Sequence, residues 1–308
     1  MAHAHAPGGA AHADALDARR ADSRRRMWLA LGINVGLLAA TIVGGVVTGS
    51  LALLADAGHM LSDVGAIGLG LLAGGLASRP PSPRRTFGYQ RTEVLAALAN
   101  GIALVVIAVL VAVAAVDRLG DPPEVDGTGV LAFGLVGVAG NLAATWILVR
   151  GQREDINLEG VLRHSVADTL GSLAVIVSGA VILATGWEPI DPVASFAIAA
   201  LILASSLRLI SEPFDVLMEA APAGIDVERV GGEMCEIEHV RAVHELHVWT
   251  VTAGFDALAA HVVVEGGVDR DLVRRRLEVM LRERHGIEHT TLQMEEDAPP
   301  QLLDVEGT

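Results

Sequence analysis

Two segments of the sequence place a histidine and an aspartate four residues apart within otherwise apolar stretches. His59 precedes Asp63 in LLADAGHMLSDVGAIGLGLLA, and His164 precedes Asp168 in LEGVLRHSVADTLGSLAVIV. Residues at i and i+4 share one face of a helix, with Cβ atoms about 5–6 Å apart. Imidazoles and carboxylates are costly at bilayer depth and usually line an ion pathway there. Two imidazoles and two carboxylates form a four-ligand set that suits zinc or a similar divalent metal.

A simpler interpretation of each pair is a hydrogen bond that helps two helices to pack. A single H-x-x-x-D leaves both interpretations open, whereas the same spacing on two segments favours a shared metal. Neutral imidazoles and two carboxylates would balance a 2+ ion in a low-dielectric environment. Asp56, one turn before His59, is expected either to orient an imidazole by accepting its N–H or to line a wetted outer cavity. Asn100 and Asn141 are expected to hydrogen-bond between helices.

The elements that must position these residues are long and apolar. The chain of 308 residues is 52% hydrophobic, and its mean hydropathy of +0.48 excludes an ordinary soluble protein of this size. Six stretches have the length of about 20 residues that a membrane span requires. These helices are predicted at 27–47, 51–77, 91–116, 129–149, 158–185 and 191–210.

The arginines predict how these helices are oriented. Arg24, Arg25 and Arg26 precede the first helix, further arginines separate the second from the third, and others follow the fourth and the sixth. The opposite loops are almost free of arginine. Because positive loops stay on the cytoplasmic side, both termini are predicted to be cytoplasmic.

The sequence from residue 211 onward is typical of a soluble α+β domain. The segments DVERVGGEMCEIE and DRDLVRRRLEVMLRERHG predict helices, and Gly286 is placed to end the second. RAVHELHVWTV and DALAAHVVVE predict strands joined by a turn at Ala253 and Gly254, and HTTLQME predicts a third strand. The order αββαβ places the helices on one face of a sheet. The single cysteine, Cys235, excludes an intrachain disulfide and is expected in the core.

This division predicts four regions along the chain. They are a flexible, histidine-containing cytoplasmic arm (1–26), a six-helix transmembrane domain (27–210), a cytoplasmic domain (211–296) and a disordered tail (297–308). The histidines of the arm, His3, His5 and His12, either capture zinc or are incidental. Most of the formal net charge of −15 lies from Glu212 onward, which disfavours nucleic acid as a partner and is compatible with attracting cations.

Several longer motifs are shared with a known family. SLALLADAGHMLSD, FGYQRTEVLAALANG and RHSVADTLGSL, followed by LHVWT and EHTTLQME, together resemble the cation diffusion facilitator family, and especially its bacterial zinc-efflux branch. The resemblance covers the chain except the arm and the tail. It implies a homodimer in the lipid bilayer of the bacterial inner membrane, with six helices per protomer and a cytoplasmic ferredoxin-like domain. It also implies exchange of a divalent cation for protons by alternating access.

The resemblance assigns roles to particular residues. It implies that His59, Asp63, His164 and Asp168 form the transport site. Some relatives have aspartate at the position of His59; the histidine form is similar to members that favour zinc and discriminate against cadmium. Zn²⁺ is therefore the expected cargo, and an additional regulatory Zn²⁺ is possible within the cytoplasmic domain.

Two positions at the border of the membrane region can also be matched. Arg91, in FGYQRTE, corresponds to a basic residue that in relatives pairs with an acid just after the sixth helix. Glu219, in VLMEAAP, is the expected partner, and the pair would join the membrane region to the cytoplasmic domain. The alternative is an arginine that extends to the membrane surface without a partner.

The cytoplasmic domain contains further candidate ligands. The resemblance implies zinc ligands at His244, His261 and Glu295. A position that is histidine in one arrangement of the family is Gln293 in this sequence, so His247 or His289 would have to complete a binuclear site. The alternative, histidines that pack on the sheet or face solvent, stays open.

Other functions fit the sequence less well. An intramembrane metalloenzyme needs an open coordination position and a general base; four ligands leave no vacancy, and the sequence has no H-E-x-x-H motif. We therefore predict that the protein is not an enzyme. A membrane metal sensor without transport would need an output domain, which nothing beyond the αββαβ module resembles. Within transport, the alternative cargoes are Mn²⁺, Co²⁺, Cd²⁺ and Fe²⁺.

Overall fold

The structure is a computed structural model that describes residues 29, 31–151 and 158–296, and for 148–151, 158–167 and 208 it describes only the backbone. The long helices are α1 (Leu31–Thr48), α2 (Leu51–Ala77), α3 (Thr92–Gly120), α4 (Gly127–Gly151), α5 (Leu158–Thr185) and α6 (Ile190–Leu217). The elements that follow are α7 (Val227–Cys235), β1 (Val240–Thr252), β2 (Phe255–Val264), α8 (Arg270–His285) and β3 (His289–Glu295).

The chain divides into two compact units. The first holds α1, α2 as far as Leu69, α3 from Ala99, α4, α5 and α6 as far as Arg208. The second holds the segment Gly70–Leu98, with the adjoining ends of α2 and α3, and the chain from Leu209 onward.

Six helices of the described chain are long and apolar enough to cross a membrane, which confirms the six predicted spans. The predicted end of the sixth span at residue 210 is wrong, because α6 continues through Pro213 to Leu217. Likewise, α3 extends beyond residue 116 to Gly120. Hydropathy marks where apolar residues stop, whereas a helix ends where its backbone hydrogen bonds stop. Both helices therefore include polar final turns that a hydropathy pattern omits.

The first unit buries an apolar cluster at the end that carries the turn between α1 and α2, called the outer end below because the predicted orientation places it outside the cytoplasm. Leu53, Val130, Val175 and Ile198 come from four different helices and are almost completely buried in one apolar cluster. Towards the other end, residues 66–69 of α2 are exposed. The buried apolar cluster of the first unit therefore lies at its outer end.

The second unit contains the predicted αββαβ module. β1 pairs with β2 antiparallel and β2 pairs with β3 parallel, giving the sheet order β1-β2-β3. Alternate residues of β2, including Leu258 and Val262, point into a core formed with α7 and α8. Gly254 occupies the predicted hairpin turn, and Gly286 ends α8 in the left-handed conformation. The predicted element order and both turns are confirmed.

The expectation that Cys235 is a core residue is wrong, because its side chain is exposed. The helix α7 is short and buries one narrow face, on which Val230 and Met234 lie four residues apart. Cys235 follows Met234 directly, so its side chain is rotated about 100° away from that face.

Candidate metal centres

The described chain contains two groups of metal-ligating side chains, and the first lies within the membrane helices. His59 and Asp63 come from α2 and Asp168 comes from α5, and one ligand atom from each lies within 4.8 Å of the others. The closest pair is His59 Nε2 and Asp168 Oδ1, at 3.1 Å. A tetrahedral site with metal–ligand bonds of about 2.0 Å has ligand atoms about 3.3 Å apart. The three donors therefore need only a small contraction to hold one ion.

His164, the fourth predicted ligand, lies on α5 one turn before Asp168. Its side chain lies outside the described part of the structure. The helix is continuous from Leu158 to Thr185, so the i and i+4 relation on which the prediction depends is present in the backbone.

A close approach of α2 and α5 brings the two halves of this site together. Gly171 faces Asp56, and a Cβ at that position would lie 3.0 Å from Asp56 Oδ1. A larger side chain at residue 171 would push the helices apart, so glycine suits this contact. Ser172 Oγ donates to Asp56 Oδ2 at 3.5 Å and accepts from Asn141 Nδ2 at 3.4 Å. The buried Asp56 carboxylate is thus linked by hydrogen bonds to α5 and α4.

The hydrogen bonds between helices that were predicted for Asn100 and Asn141 are confirmed. Asn141 bonds between α4 and α5, and Ser62 Oγ donates to Asn100 Oδ1 at 3.1 Å between α2 and α3. The role of Asp56 in orienting an imidazole stays a prediction.

A small cavity of about 20 Å³ adjoins the site. Asp56 and His59 line it from α2, Gly171 from α5, and Ile198 and Ser205 from α6. A space of this size holds about one water molecule or one ion. α6 contributes mostly apolar wall, which raises the cost of leaving a charge unpaired in this cavity.

The second group lies on the sheet of the αββαβ module. His244 on β1 pairs directly with His261 on β2, and their ring centroids are 5.1 Å apart. Glu295 on β3 joins them: Oε2 lies 3.2 Å from His244 Nε2, and Oε1 lies 2.8 Å from His261 Nδ1. These three residues are the second set whose ligand atoms lie within 4.8 Å of one another. Strand pairing thus assembles a candidate metal site from three strands.

The carboxyl of Glu295 is held in its ionised form. Partial burial favours the protonated form, but hydrogen bonds from Gln293, His244 and His261 outweigh burial, and the pKa of Glu295 lies below its usual value. An ionised carboxylate between two imidazoles is the state that a divalent cation requires.

Glu245 is a potential donor that the sequence did not suggest. Its Oε2 lies 3.4 Å from His261 Nε2. The backbone of Glu245 has φ = 48°, a region that non-glycine residues rarely adopt, and it lies at the register shift between His244 and His247. An exposed glutamate on a strand reads as an ordinary solvent-facing residue, so only the irregular pairing reveals it.

The structure places His247 and His289 outside this second group. His247 is exposed and pairs with Ala259, one step beyond the register shift. His289 pairs with Ala257, four residues along β2 from His261, which corresponds to about 13 Å. Strand register therefore separates these histidines from His261, and within the described residues His289 instead contacts aromatic rings of Phe87 and Phe255.

Arg91 and Glu219 form the expected contact within the second unit. Arg91 Nη2 donates to Glu219 Oε1 at 3.1 Å. Glu219 follows the end of α6 with φ = 57°, a position where glycine is commonly favoured by about 1 kcal/mol. The contact is solvent-exposed on both sides, so its direct contribution to stability is small.

Comparison with known proteins covers almost the whole chain. Residues 27–218 match the cation efflux transmembrane domain, and residues 222–297 match the cytoplasmic domain of cation efflux proteins. The zinc transporter ZitB of Escherichia coli is 39% identical over 276 residues, which are 89% of this chain and 88% of that protein.

Other similar proteins carry related names. The cadmium, cobalt and zinc/H(+)-K(+) antiporter of Bacillus velezensis is 38% identical and covers 84% of each chain. The metal cation efflux system protein CzcD of Cupriavidus metallidurans is 35% identical over 89% of this chain and 87% of its own. The solved metal-bound C-terminal domain of CzcD is 32% identical, covers 23% of this chain and 99% of its own, and gives a TM-score of 0.22.

Both family matches and the near-full-length relatives agree with the six apolar helices and the αββαβ module. The orientation of the termini stays a prediction. The chain belongs to the cation efflux family, the cation diffusion facilitators, and is a multi-pass metal cation efflux protein of the bacterial inner membrane.

Proposed function

We propose that the protein exports Zn²⁺ from the cytoplasm in exchange for protons, and that the ion binds to His59, Asp63, His164 and Asp168. The observation that carries this proposal is the convergence of donor atoms from α2 and α5. Apolar helices can pack without ionisable side chains, which are costly at this depth, whereas an ion pathway requires such side chains.

The chemistry of the donors supports zinc as the cargo. Two neutral imidazoles and two carboxylates neutralise a 2+ ion, and nitrogen donors favour zinc over Mg²⁺ or Ca²⁺. The names of two relatives include zinc, and one of these also includes exchange with H⁺ and K⁺. Proton exchange is chemically consistent with this set, because a metal and a proton compete for the same imidazole nitrogen.

Alternating access would couple the two ions. In this scheme zinc reaches the site from the cytoplasm and displaces protons while the packed outer cluster separates the site from the outside. Rearrangement of the helices then opens the outer end, where protons bind to His59 or His164 and release zinc.

The second group would serve regulation. We propose that His244, His261 and Glu295 bind a further Zn²⁺, that this binding stabilises a homodimer of cytoplasmic domains, and that Arg91 and Glu219 link this domain to the membrane helices. Partly exposed histidines on a sheet can exchange metal with the cytoplasm, which suits a sensor of the free zinc concentration.

Experiments can distinguish zinc export from two alternatives. Mn²⁺, Co²⁺, Cd²⁺ or Fe²⁺ could be the main cargo of the same mechanism, and competition between these ions and zinc would rank them. A metal sensor without transport would bind zinc at both groups but would move none across a membrane.

Transport by the purified protein in liposomes tests the proposal. Liposomes would contain a zinc-sensitive dye, and a proton gradient would be imposed across them. Asp63→Asn and Asp168→Asn keep the side-chain size and remove one charge each, and both should abolish zinc movement. Asp121→Asn, which alters an exposed carboxylate in the α3–α4 loop, should leave transport intact. Proton-driven zinc transport that survives both site variants would contradict the proposal.

A further inference from the structure

A buried carboxylate from α6 caps the N-terminus of α2 at the outer end of the bundle. Asp191 Oδ1 accepts from Ser50 Oγ at 2.6 Å, and Oδ2 accepts from the backbone N–H of Leu51 at 2.7 Å. The N–H of Ala52 lies 3.4 Å from Oδ1. Asp191 and Ser50 are both completely buried. This contact, the Asp191 clasp, therefore joins two helices far apart in sequence in a dry environment.

The position of Asp191 in its own helix makes the clasp unusual. Asp191 lies in the first turn of α6, where an acidic side chain commonly satisfies N–H groups of its own helix. Here it extends to the first turn of α2, whose free N–H groups and positive dipole end stabilise a carboxylate. Ser50 completes the cap, since its Oγ also accepts from the N–H of Leu53 at 3.1 Å.

The turn between α1 and α2 is held from two further directions. Gly49 has φ = 72°, and a Cβ there would lie 3.1 Å from the carbonyl oxygen of Glu124, so the tight turn requires glycine. Arg118, near the end of α3, donates to the Gly49 carbonyl at 2.7 Å, and the N–H of Asp126 donates to the Thr48 carbonyl at 3.0 Å. The outer end of α2 is thus fixed against α3, the α3–α4 loop and α6.

The clasp fixes the helix that carries half of the transport site. His59 lies eight residues beyond Leu51 on α2, which is about 12 Å along the helix axis. Between them, Leu53 of α2 packs with Ile198 and Ile202 of α6 in the outer cluster, and these two isoleucines also line the cavity at the site. Any path from the site to the outer surface between α2 and α6 must therefore separate this contact.

We propose that Asp191 is a positioning residue for transport: its clasp on α2 keeps the metal site closed at the outer end, and the clasp must release before the ion can leave. This inference rests on the proposed function, because it assigns a step of the alternating-access cycle. The clasp consists of hydrogen bonds only, and water can replace its donors once α2 and α6 separate. It is therefore strong in the closed state and reversible.

Accessibility of a buried residue beside the clasp tests this proposal. Ser195 is completely buried one turn after Asp191, and Ser195→Cys in a Cys235→Ser background gives a single thiol of nearly the same size. Spheroplasts of a bacterium lacking its own zinc exporters would express the full chain, and a membrane-impermeant maleimide would be added outside at constant pH. Labelling rates would be compared between zinc-loaded and zinc-chelated cells.

The clasp predicts four results in this assay. Zinc loading should raise the labelling of Ser195→Cys, because the outer end opens during each cycle. Adding Asp191→Asn or Ser50→Ala should raise labelling in chelated cells by about tenfold, the scale expected for loss of a charge-assisted cap. Asp121→Asn should not change it. Ala57→Cys, a second buried reporter away from the clasp, should remain unlabelled when Asp191→Asn or Ser50→Ala is added.

Each contrary result overturns the inference. Equal labelling of Ser195→Cys with and without zinc would show that the clasp does not open, and this comparison needs no change at Asp191. Equal increases at Ser195→Cys and Ala57→Cys in the Asp191→Asn protein would show general loosening of the fold. Zinc efflux from the same cells tests the proposed function separately. Absence of efflux with clasp-dependent labelling would refute export while retaining Asp191 as the outer closure.

Discussion

The two groups of candidate ligands use the same residue types in opposite environments. In the membrane, His59 and Asp168 expose only 13% and 18% of their side chains, and helices supply the donors. In the cytoplasmic domain, His244 and His261 expose 33% and 30%, and three paired strands supply them. Helix packing determines the first arrangement, and hydrogen-bonded strand register determines the second.

This difference indicates how each group responds when its metal or a donor is lost. A buried imidazole or carboxylate that loses its partner keeps the full desolvation cost, whereas water can replace the partner of the more exposed imidazoles in the cytoplasmic group. The membrane group should therefore tolerate little change, and the cytoplasmic group should respond gradually. Such a contrast suits a transport site in one case and a regulatory site in the other.

The largest effect is expected from removing one charge of the membrane group. Asp168→Asn should weaken zinc binding at that group by about 10²–10⁴-fold, because removal of one member of a buried charged set costs about 3–5 kcal/mol. Equilibrium dialysis of the detergent-solubilised protein should show the loss of one zinc per protomer at micromolar zinc. Retention of that zinc by Asp168→Asn, with Asp121→Asn as the matched control, would remove the contrast between the two groups.

A smaller effect is expected from the cytoplasmic group. His261→Ala should weaken binding there by about tenfold, since water can replace an imidazole on this half-exposed sheet surface. The maximal transport rate at saturating zinc should remain within about twofold. The zinc concentration that gives half-maximal transport should increase. His289→Ala is the control, because it changes a histidine of the same sheet outside the group. Abolished transport in His261→Ala would show that this group belongs to the ion pathway itself.

The exposed contact between Arg91 and Glu219 should matter less for stability than for coupling. Glu219→Gln should lower the free energy of unfolding by about 0.5 kcal/mol. Glu219→Gly should instead raise it by about 1 kcal/mol, because glycine removes the strain of the left-handed backbone. If the carboxylate links the domains, both variants should reduce the response of transport to zinc equally. Thermal unfolding and transport assays on the same samples would separate strain from coupling.

The smallest effect concerns a carboxylate of the cytoplasmic domain that has only a structural role. Hydrogen bonds from Arg229, Arg284 and His285 outweigh burial and lower the pKa of Glu233 below its usual 4.5. Its stabilising contribution is thus complete above pH 4.5 and is lost as the pH falls through the lower folded-state pKa. Glu233→Gln should slightly lower the unfolding temperature at pH 7, and this difference should vanish in acid.

Glu283→Gln, which alters an exposed carboxylate on α8, provides the control for this measurement. An equal loss of stability in Glu233→Gln at pH 7 and in strong acid would show that the ion pairs do not cause it. Addition of zinc should not alter the Glu233→Gln difference, in contrast to variants of Glu295.

Much of the architecture follows from local patterns. Runs of about 20 apolar residues predict membrane helices because backbone groups in lipid must be satisfied within the segment. The cytoplasmic elements follow from alternation, helical periodicity and turn residues such as Gly254 and Gly286. Helix ends were less predictable, because α6 continues past its apolar residues to Leu217.

The sequence by itself determined which residues of α2 share a face, because His59 and Asp63 are related by helix geometry alone. It also determined the candidate histidines of the cytoplasmic domain. The family resemblance implied that His244, His261 and Glu295 meet, but residue patterns alone did not determine which histidines come together. A register shift in β1 and the parallel pairing of β3 decided that Glu295 joins His244 and His261, while His247 and His289 lie elsewhere.

Only the tertiary structure revealed the contact between Asp191 and the start of α2. Its partners are separated by about 140 residues along the chain, and an aspartate in the first turn of a helix predicts nothing beyond that helix. Local periodicity depends on neighbouring residues, and so the sequence displays it directly. Contacts between distant helices depend on how all six pack, and that arrangement is decided only when the chain has folded.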